Sequence, residues 1–191
     1  MLMIKIWTKL FIILSFFIPV AFADIVKDVK VSGNKRISEE TIIVLGKIEK
    51  NQNYNENKLN QTLKNLYETN FFSNVSLKID NEILNIAVIE NPIIETVEIT
   101  GIKNKKILEN IYDNILLKDR MSFTDNLLNK DINYIKNLNK SLGYYFVEVE
   151  PLINRNDDLN SIILKLNIDQ GERAKIKDII FIGDKKIKDK R

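Results

Sequence analysis

The chain of 191 residues contains no cysteine and no histidine, and it has only three prolines and six glycines. These absences exclude thiolate nucleophiles, disulfides, zinc sites of the usual cysteine–histidine kind and imidazole acid–base chemistry. Carboxylates, serines and lysines remain as groups that can support catalysis. We nevertheless expect no catalytic, cofactor or metal site, and we expect that the protein is not an enzyme.

The N-terminal segment, residues 1–23, has the pattern of a secretory signal peptide. Lys5 and Lys9 supply the positive charge at its start, and Leu10–Val20 forms an apolar stretch. Ala21–Ala23 then provides small residues at both ends of a cleavage motif. This order predicts export across the inner membrane.

We expect cleavage between Ala23 and Asp24, so that the mature chain begins at Asp24 and lies in the periplasm. The uncharged stretch over residues 10–23 has 14 residues. It is short for a membrane-spanning helix, which needs about 20. The alternative is an uncleaved signal anchor that also uses Ile4, Ile6 and Trp7.

The charge of the expected mature chain is close to neutral. Without the two lysines of the leader, 27 of the 29 basic residues remain against 26 acidic ones. A nucleic-acid-binding protein is expected to show a basic stripe, so we predict no nucleic-acid partner. The basic tail Lys185–Arg191 is interpreted as a loop that follows the strand of an interrupted repeat.

Three segments share one pattern, which indicates an internal repeat. In each, a β-branched residue is followed by apolar residues three and five places later and by glycine seven places later. The segments are Val26–Gly33, Ile94–Gly101 and Ile176–Gly183. The spacing predicts a strand that ends in a turn with positive φ, which glycine adopts without strain. Basic residues follow each glycine.

The residues after the first repeat segment predict two helices. Ser38 is a suitable N-cap for a short helix that ends near Leu45. A second helix begins near Asn55, and Asn70 is its expected left-handed C-terminal cap. Its apolar face consists of Leu59, Leu63, Leu66 and Tyr67.

A hairpin is predicted to complete this first unit. Apolar and polar residues alternate over Val75–Ile79 and again over Leu84–Val88, and Asn81-Glu82 is the turn between the two strands. Glu90-Asn91-Pro92 ends the second of them, since proline cannot donate to a strand ladder.

The second unit repeats this order. The predicted helices are Lys105–Asn114 and Thr124–Leu142, and Gly143 ends the longer one. A strand over Phe146–Glu150 follows, then a polar loop through residues 156–158. A return strand spans Ile162–Ile168. The aromatic pairs of the two units are expected to seal the junction between helix and strand. They are Phe71-Phe72 and Tyr144-Tyr145.

Each unit therefore reads β-α-α-β-β, which predicts an α+β fold with two helices packed on a three-stranded mixed sheet. The predicted organisation is a signal peptide over 1–23 and two domains over 24–92 and 93–173. The start of a truncated third domain is predicted over 174–191.

The order of elements resembles the POTRA domain family. The details that carry the resemblance are Tyr67–Val75, the strand Leu84–Pro92 with its Glu-Asn-Pro end, and the segments Leu142–Phe146 and Asp169–Arg173. Asn70 stands where the family often has glycine.

The resemblance implies the periplasmic POTRA region of an outer-membrane β-barrel assembly factor. Expected partners are unfolded outer-membrane protein precursors and the periplasmic lipoproteins of the assembly complex, with no cofactor. Contact with the outer membrane is expected only through a C-terminal barrel, which the sequence does not contain. The alternatives are a two-partner secretion transporter, a TamA-like assembly factor or a signal-anchored division protein.

A three-stranded sheet has two edges, whose unpaired N–H and C=O groups can bind another strand. The resemblance implies that the second strand of each unit is the receiving edge. The expected partner-binding residues are Val75, Ser76, Leu77, Lys78, Ile79, Phe146, Val147, Glu148 and Val149. The N–H groups of Ser76 and Lys78 are predicted to point outward, so that proline there weakens peptide binding without unfolding the domain. An enzyme would have to use carboxylates such as Asp157-Asp158 or Glu148 and Glu150.

Overall fold

A computed structural model of the protein describes residues 24–180. The predicted signal peptide, residues 1–23 up to the expected cleavage after Ala23, lies outside the described residues, as does the segment 181–191. The chain divides between Glu90 and Asn91 into two compact units. Among residues 24–180, no helix has both the length and the apolar character needed to cross a bilayer.

The first unit consists of two helices packed on a three-stranded mixed sheet, plus a small strand pair. In this sheet β5 is central, with β2 parallel on one side and β4 antiparallel on the other. The predicted order β-α-α-β-β and the mixed sheet are confirmed. The elements are β1 (Asp24–Val26), β2 (Asp28–Ser32), α1 (Glu39–Leu45), β3 (Gln52–Tyr54), α2 (Glu56–Glu68), β4 (Phe72–Asp80) and β5 (Ile83–Glu90).

The second unit repeats this architecture, with β8 central, β6 parallel to it and β7 antiparallel. Its elements are β6 (Ile93–Thr100), α3 (Lys105–Asn114), α4 (Asp125–Ser141), β7 (Glu148–Asn156) and β8 (Ser161–Asp169). The small antiparallel pair β1–β3 of the first unit was not predicted. Each of its strands has only three residues, too few to show an alternating pattern.

The helices begin where local side chains satisfy the free N–H groups of the first turn. Ser38 accepts from Thr41 N–H, as the sequence predicts, and Asn55 accepts from Lys58 N–H at the start of the second helix. Asn104 and Thr124 do the same for the helices of the second unit.

The glycine of the repeat is required by packing as well as by its backbone angle. Gly33 and Gly101 have φ of +82° and +90°. A Cβ at Gly33 would overlap the carbonyl oxygen of Val88, and one at Gly101 would overlap that of Ile168. The turn after each first strand therefore lies directly against the central strand of its own unit.

Each unit has its own apolar core between helices and sheet. In the first unit the fully buried side chains include Ile42 and Leu66 from the helices and Leu84 from the central strand. In the second unit Ile111, Ile135 and their neighbours on the sheet are equally buried. These neighbours are Ile94, Ile162, Leu164 and Leu166.

Residues 174–180 contain no helix or strand, and all of them are exposed. The strand predicted from Ile176 is therefore absent over Ile176–Ile180. The strands at the matching positions, β2 and β6, are each held by the central strand of their own unit. Residues 176–180 have no such neighbour among the described residues. A third domain stays a prediction, since residues 181–191 are not described.

Candidate strand-binding edges

The expected binding residues Val75–Ile79 all lie in β4, which is an edge strand of the first sheet. Within residues 24–180, β4 pairs only with β5. The side chain of Val75 is buried, and those of Leu77 and Ile79 are half-buried against the core. Ser76 and Lys78 are exposed on the other face of the sheet. One long side of β4 therefore has no neighbouring strand among residues 24–180.

The register of the hairpin determines which N–H groups point away from the sheet. Asn81 and Glu82 have φ of 49° and 64°, as in a two-residue type I′ turn, so the flanking pair Asp80–Ile83 is hydrogen-bonded. Along an antiparallel ladder, hydrogen-bonded pairs alternate with pairs that are not hydrogen-bonded. Lys78 and Ser76, two and four residues before Asp80, therefore also belong to hydrogen-bonded pairs, and their N–H groups point inward, to β5. The outward orientation predicted for these two groups is wrong.

The outward N–H groups of β4 belong to Val75, Leu77 and Ile79. Val75 shows this directly, because its N–H donates to the hydroxyl of Tyr67 at 3.0 Å instead of to β5. Leu77 and Ile79 follow at intervals of two residues on the same side. A proline that tests this edge therefore belongs at Leu77 or Ile79.

In the second unit, only part of the expected binding segment belongs to the edge strand. Glu148 and Val149 lie in β7, but Phe146 lies in a turn and Val147 lies between that turn and the strand. The prediction of a strand over Phe146–Glu150 is wrong at its start. The central strand ends at Asp169, opposite Glu148, so residues before Glu148 have no partner with which to form a ladder.

The side chains around this turn also differ from the prediction. Val147 is buried, whereas Phe146 is 80% exposed and Tyr145 is 59% exposed. Of the aromatic pairs expected to seal the core, Phe72 does so, while Phe71 is 37% exposed. The exposed aromatic rings in the second unit thus lie immediately before the edge strand.

Strand β7 continues to Asn156, well beyond the predicted end at Glu150. Pro151 lies within it, opposite Leu166 of the central strand. Proline is tolerated in a sheet where its missing N–H faces away from the neighbouring strand. The side of β7 that faces away from β8 is therefore the side on which Pro151 lacks its N–H. The outward N–H groups follow at intervals of two residues, at Val149, Ile153 and Arg155, and the donor between the first two is missing.

The opposite edge of this second sheet is closed by the chain itself. Ile94 N–H donates to Met121 O at 2.8 Å, and Ile94 O accepts from Arg120 N–H at 2.7 Å. An isolated bridge between Ile93 and Ser122 extends this pairing. The loop before α4 thus occupies the start of β6 as a strand would.

Two side chains cover the rest of β6. Val97 N–H donates to Asp119 Oδ1 at 2.8 Å, and Ile99 N–H donates to the Tyr112 hydroxyl at 3.1 Å. The same hydroxyl lies 3.5 Å from Val97 O. Among residues 24–180, these contacts leave β7 as the edge of the second sheet without a neighbour on its outer side.

A buried carboxylate holds the turn that follows β2. Glu90, 5% exposed, accepts from the backbone N–H groups of Lys35, Arg36 and Ile37 at 2.7 to 3.0 Å. The Arg36 side chain adds a bond from Nε at 3.0 Å. Burial acts to raise the pKa of Glu90, but these hydrogen bonds outweigh it and hold the pKa below its usual range. The carboxylate ties the turn to the end of β5.

A second buried carboxylate, Asp131 of α4, holds the segment after α3. It accepts from Leu116 N–H at 2.7 Å and from Leu117 N–H at 2.8 Å. Burial raises the pKa of Asp131, against the lowering effect of these two bonds and of Lys118. Both partners are backbone groups, which gives Asp131 a structural role.

The carboxylates considered for an enzyme lie elsewhere and are exposed. They are Asp157 and Asp158 in the turn after β7, and Glu148 and Glu150 on its outer face.

Two similar small domains in tandem, each with two helices on a three-stranded mixed sheet, define a class of α+β repeat modules. The family model that matches is POTRA, "Surface antigen variable number repeat", over residues 25–91 and 92–171. The chain belongs to the POTRA family, and the resemblance inferred from the sequence is confirmed.

The curated relatives are much longer than this chain, which spans about a fifth of their length or less. The outer membrane protein assembly factor BamA of Neisseria meningitidis serogroup B is 28% identical over 177 residues, which are 91% of this chain and 22% of that protein. BamA of Neorickettsia risticii is 36% identical over 104 residues, 54% of this chain and 14% of that protein. The solved N-terminal domain of Omp85 from Thermosynechococcus elongatus has the same fold, with a TM-score of 0.51 at 16% identity. That match covers 77% of this chain and 63% of that one.

Proposed function

We propose that these units are the periplasmic, polypeptide-binding part of an outer-membrane β-barrel assembly factor. In this proposal β4 and β7 receive extended segments of unfolded outer-membrane precursors or of the lipoproteins of the assembly complex. The protein has no catalytic role, and the segment 1–23 directs its export. The relatives named as BamA support the assembly role.

The observation that carries this proposal is the contrast between the two edges of the second sheet. The chain closes β6 with backbone and side-chain bonds, whereas β7 bonds to β8 on one side only within residues 24–180. An open edge binds another strand through main-chain hydrogen bonds, which demand little of the partner's sequence. That chemistry suits a protein that handles many different β-barrel precursors.

Cysteine cross-linking tests which edges receive a strand, because the chain has no cysteine of its own. Lys78→Cys and Glu150→Cys each place one thiol on the exposed face of β4 or β7. Glu98→Cys is the matched control, since Glu98 lies on the closed strand β6 with a side chain that is 44% exposed. The probe is an unfolded outer-membrane β-barrel protein with one cysteine in a strand, kept soluble in dilute urea.

We expect disulfide yields several-fold higher at positions 78 and 150 than at position 98, read on non-reducing gels. The physical reason is that only the first two positions lie beside an edge that can align a second strand. Equal yields at all three positions would indicate random collision and contradict the proposal.

A further inference from the structure

We infer that Tyr67 determines how much of the β4 edge an incoming strand can use, because its hydroxyl already occupies the outward main-chain groups of Val75. This inference rests on the proposed function. It assigns a specificity-determining role to a residue of α2 that does not belong to the strand itself.

The geometry around the hydroxyl is that of a substitute for a neighbouring strand. It accepts from Val75 N–H at 3.0 Å and lies 3.5 Å from Val75 O. It is also 3.4 Å from Asn74 Oδ1. A strand added to β4 would make its own bonds to Val75 N–H and O, the same two groups. The hydroxyl and the incoming strand therefore compete for them.

The competition limits strand addition to one end of β4. With Val75 occupied, the outward N–H groups left for a partner are those of Leu77 and Ile79, next to the hairpin turn. The Tyr67 ring is 42% exposed at the last turn of α2. It contributes apolar contact that does not depend on the hydroxyl, so Tyr67→Phe removes the bond to Val75 and keeps the ring.

The second unit provides the matched control. Tyr112 makes the same kind of bond, because its hydroxyl accepts from Ile99 N–H at 3.1 Å, but on the closed edge β6. Asp119 and the loop at residues 120–122 still cover that edge when the Tyr112 hydroxyl is lost. Tyr112→Phe therefore removes an equivalent hydroxyl without opening a site.

The test uses the full 191-residue chain, expressed in a Gram-negative host and studied by NMR as it is recovered. The probe is a short peptide of alternating threonine and valine residues with lysine at each end. In the unaltered chain we expect binding to perturb the amides of Leu77 and Ile79 more than that of Val75. In Tyr67→Phe the perturbation extends to Val75, and the affinity rises about two- to tenfold, the equivalent of one net hydrogen bond.

We also expect the amide hydrogen of Val75 to exchange faster in Tyr67→Phe than in the unaltered chain when no peptide is present. This result would show independently that the hydroxyl protects the Val75 N–H. Unchanged affinity and footprint in Tyr67→Phe, with the peptide still bound at Leu77 and Ile79, would overturn the inference and leave the proposed function standing. An equal gain in affinity in Tyr112→Phe would also overturn it. Absence of peptide binding to every variant would overturn the inference together with the proposed function.

Discussion

Glu90→Ala is expected to lower the free energy of unfolding of the first unit by about 3–5 kcal/mol, because several hydrogen bonds to one buried, charged group are lost together. The substitution leaves the N–H groups of Lys35, Arg36 and Ile37 without their acceptor, in a turn that packs on the central strand. The Arg36 guanidinium loses its partner as well. The three backbone donors that share this one buried acceptor are the main reason for the size of the effect.

The contribution of Glu90 depends on pH in a defined direction. Its pKa is lower in the folded chain than the ordinary glutamate value, about 4.3. The stabilisation is therefore fully present above that value. It is lost as the pH falls through the lower pKa of the folded state, because the native carboxylate must then be protonated. The difference in stability between the unaltered chain and Glu90→Ala should shrink on acidification.

Hydrogen exchange followed by mass spectrometry measures this effect, because it reports on each unit separately. The matched control is Glu82→Ala, which removes a carboxylate from the same unit and breaks an exposed ion pair with Lys27. Exposed pairs contribute at most about 1 kcal/mol. Equal effects of the two substitutions would show that the buried hydrogen bonds of Glu90 contribute little.

Asp131→Ala is expected to destabilise the second unit by about 2–4 kcal/mol, since two backbone N–H groups, one of them buried, lose their acceptor. These groups, of Leu116 and Leu117, fix the chain where it leaves α3. Leu117 is itself in the core. In Asp131→Ala we therefore expect hydrogen exchange to become faster around Leu117 before it does in the rest of the second unit.

The pH dependence of Asp131 has the opposite sign. Its pKa is raised in the folded chain, so the folded state binds a proton more readily than the unfolded state. The contribution of Asp131 therefore falls as the pH rises from the ordinary aspartate value through the raised one.

Asp131→Asn should remove this pH dependence of the stability. We expect it to cost less stability than Asp131→Ala, because the asparagine side-chain oxygen still accepts one hydrogen bond. Unfolding of the second unit between about pH 4 and 7, compared with the exposed helix control Glu109→Ala, tests both statements. If the stability of Asp131→Asn still falls as the pH rises, the pH dependence comes from another group.

Local signals in the sequence predicted most of the fold. Gly33 and Gly101 mark real turns because both their positive φ and the close approach of the central strand exclude a side chain. Asn81-Glu82 predicted the hairpin because a two-residue turn joins strands in only a few ways. Alternating residues such as Leu84, Ile86 and Val88 showed which face is buried.

The site was harder to predict, because contacts between distant residues shape it. Tyr67 falls on the apolar face of its helix, and nothing in that spacing shows that its hydroxyl reaches a strand edge. Asp119 and Tyr112 cover β6 from 22 and 13 residues away. Strand β7 runs past Pro151 to Asn156, beyond the predicted end at Glu150. Pro151 is compatible with an outer strand whose N–H side faces away from its neighbour.

Pro151 also bears on how copies of the protein behave towards each other. Two identical outer strands that meet side by side can pair along their whole length and start uncontrolled association. A residue without an N–H in the middle of β7 interrupts such a ladder, because it leaves one bond unmade in every pairing. The second unit can therefore keep an accessible outer strand at high local concentration with less tendency to join another copy of itself.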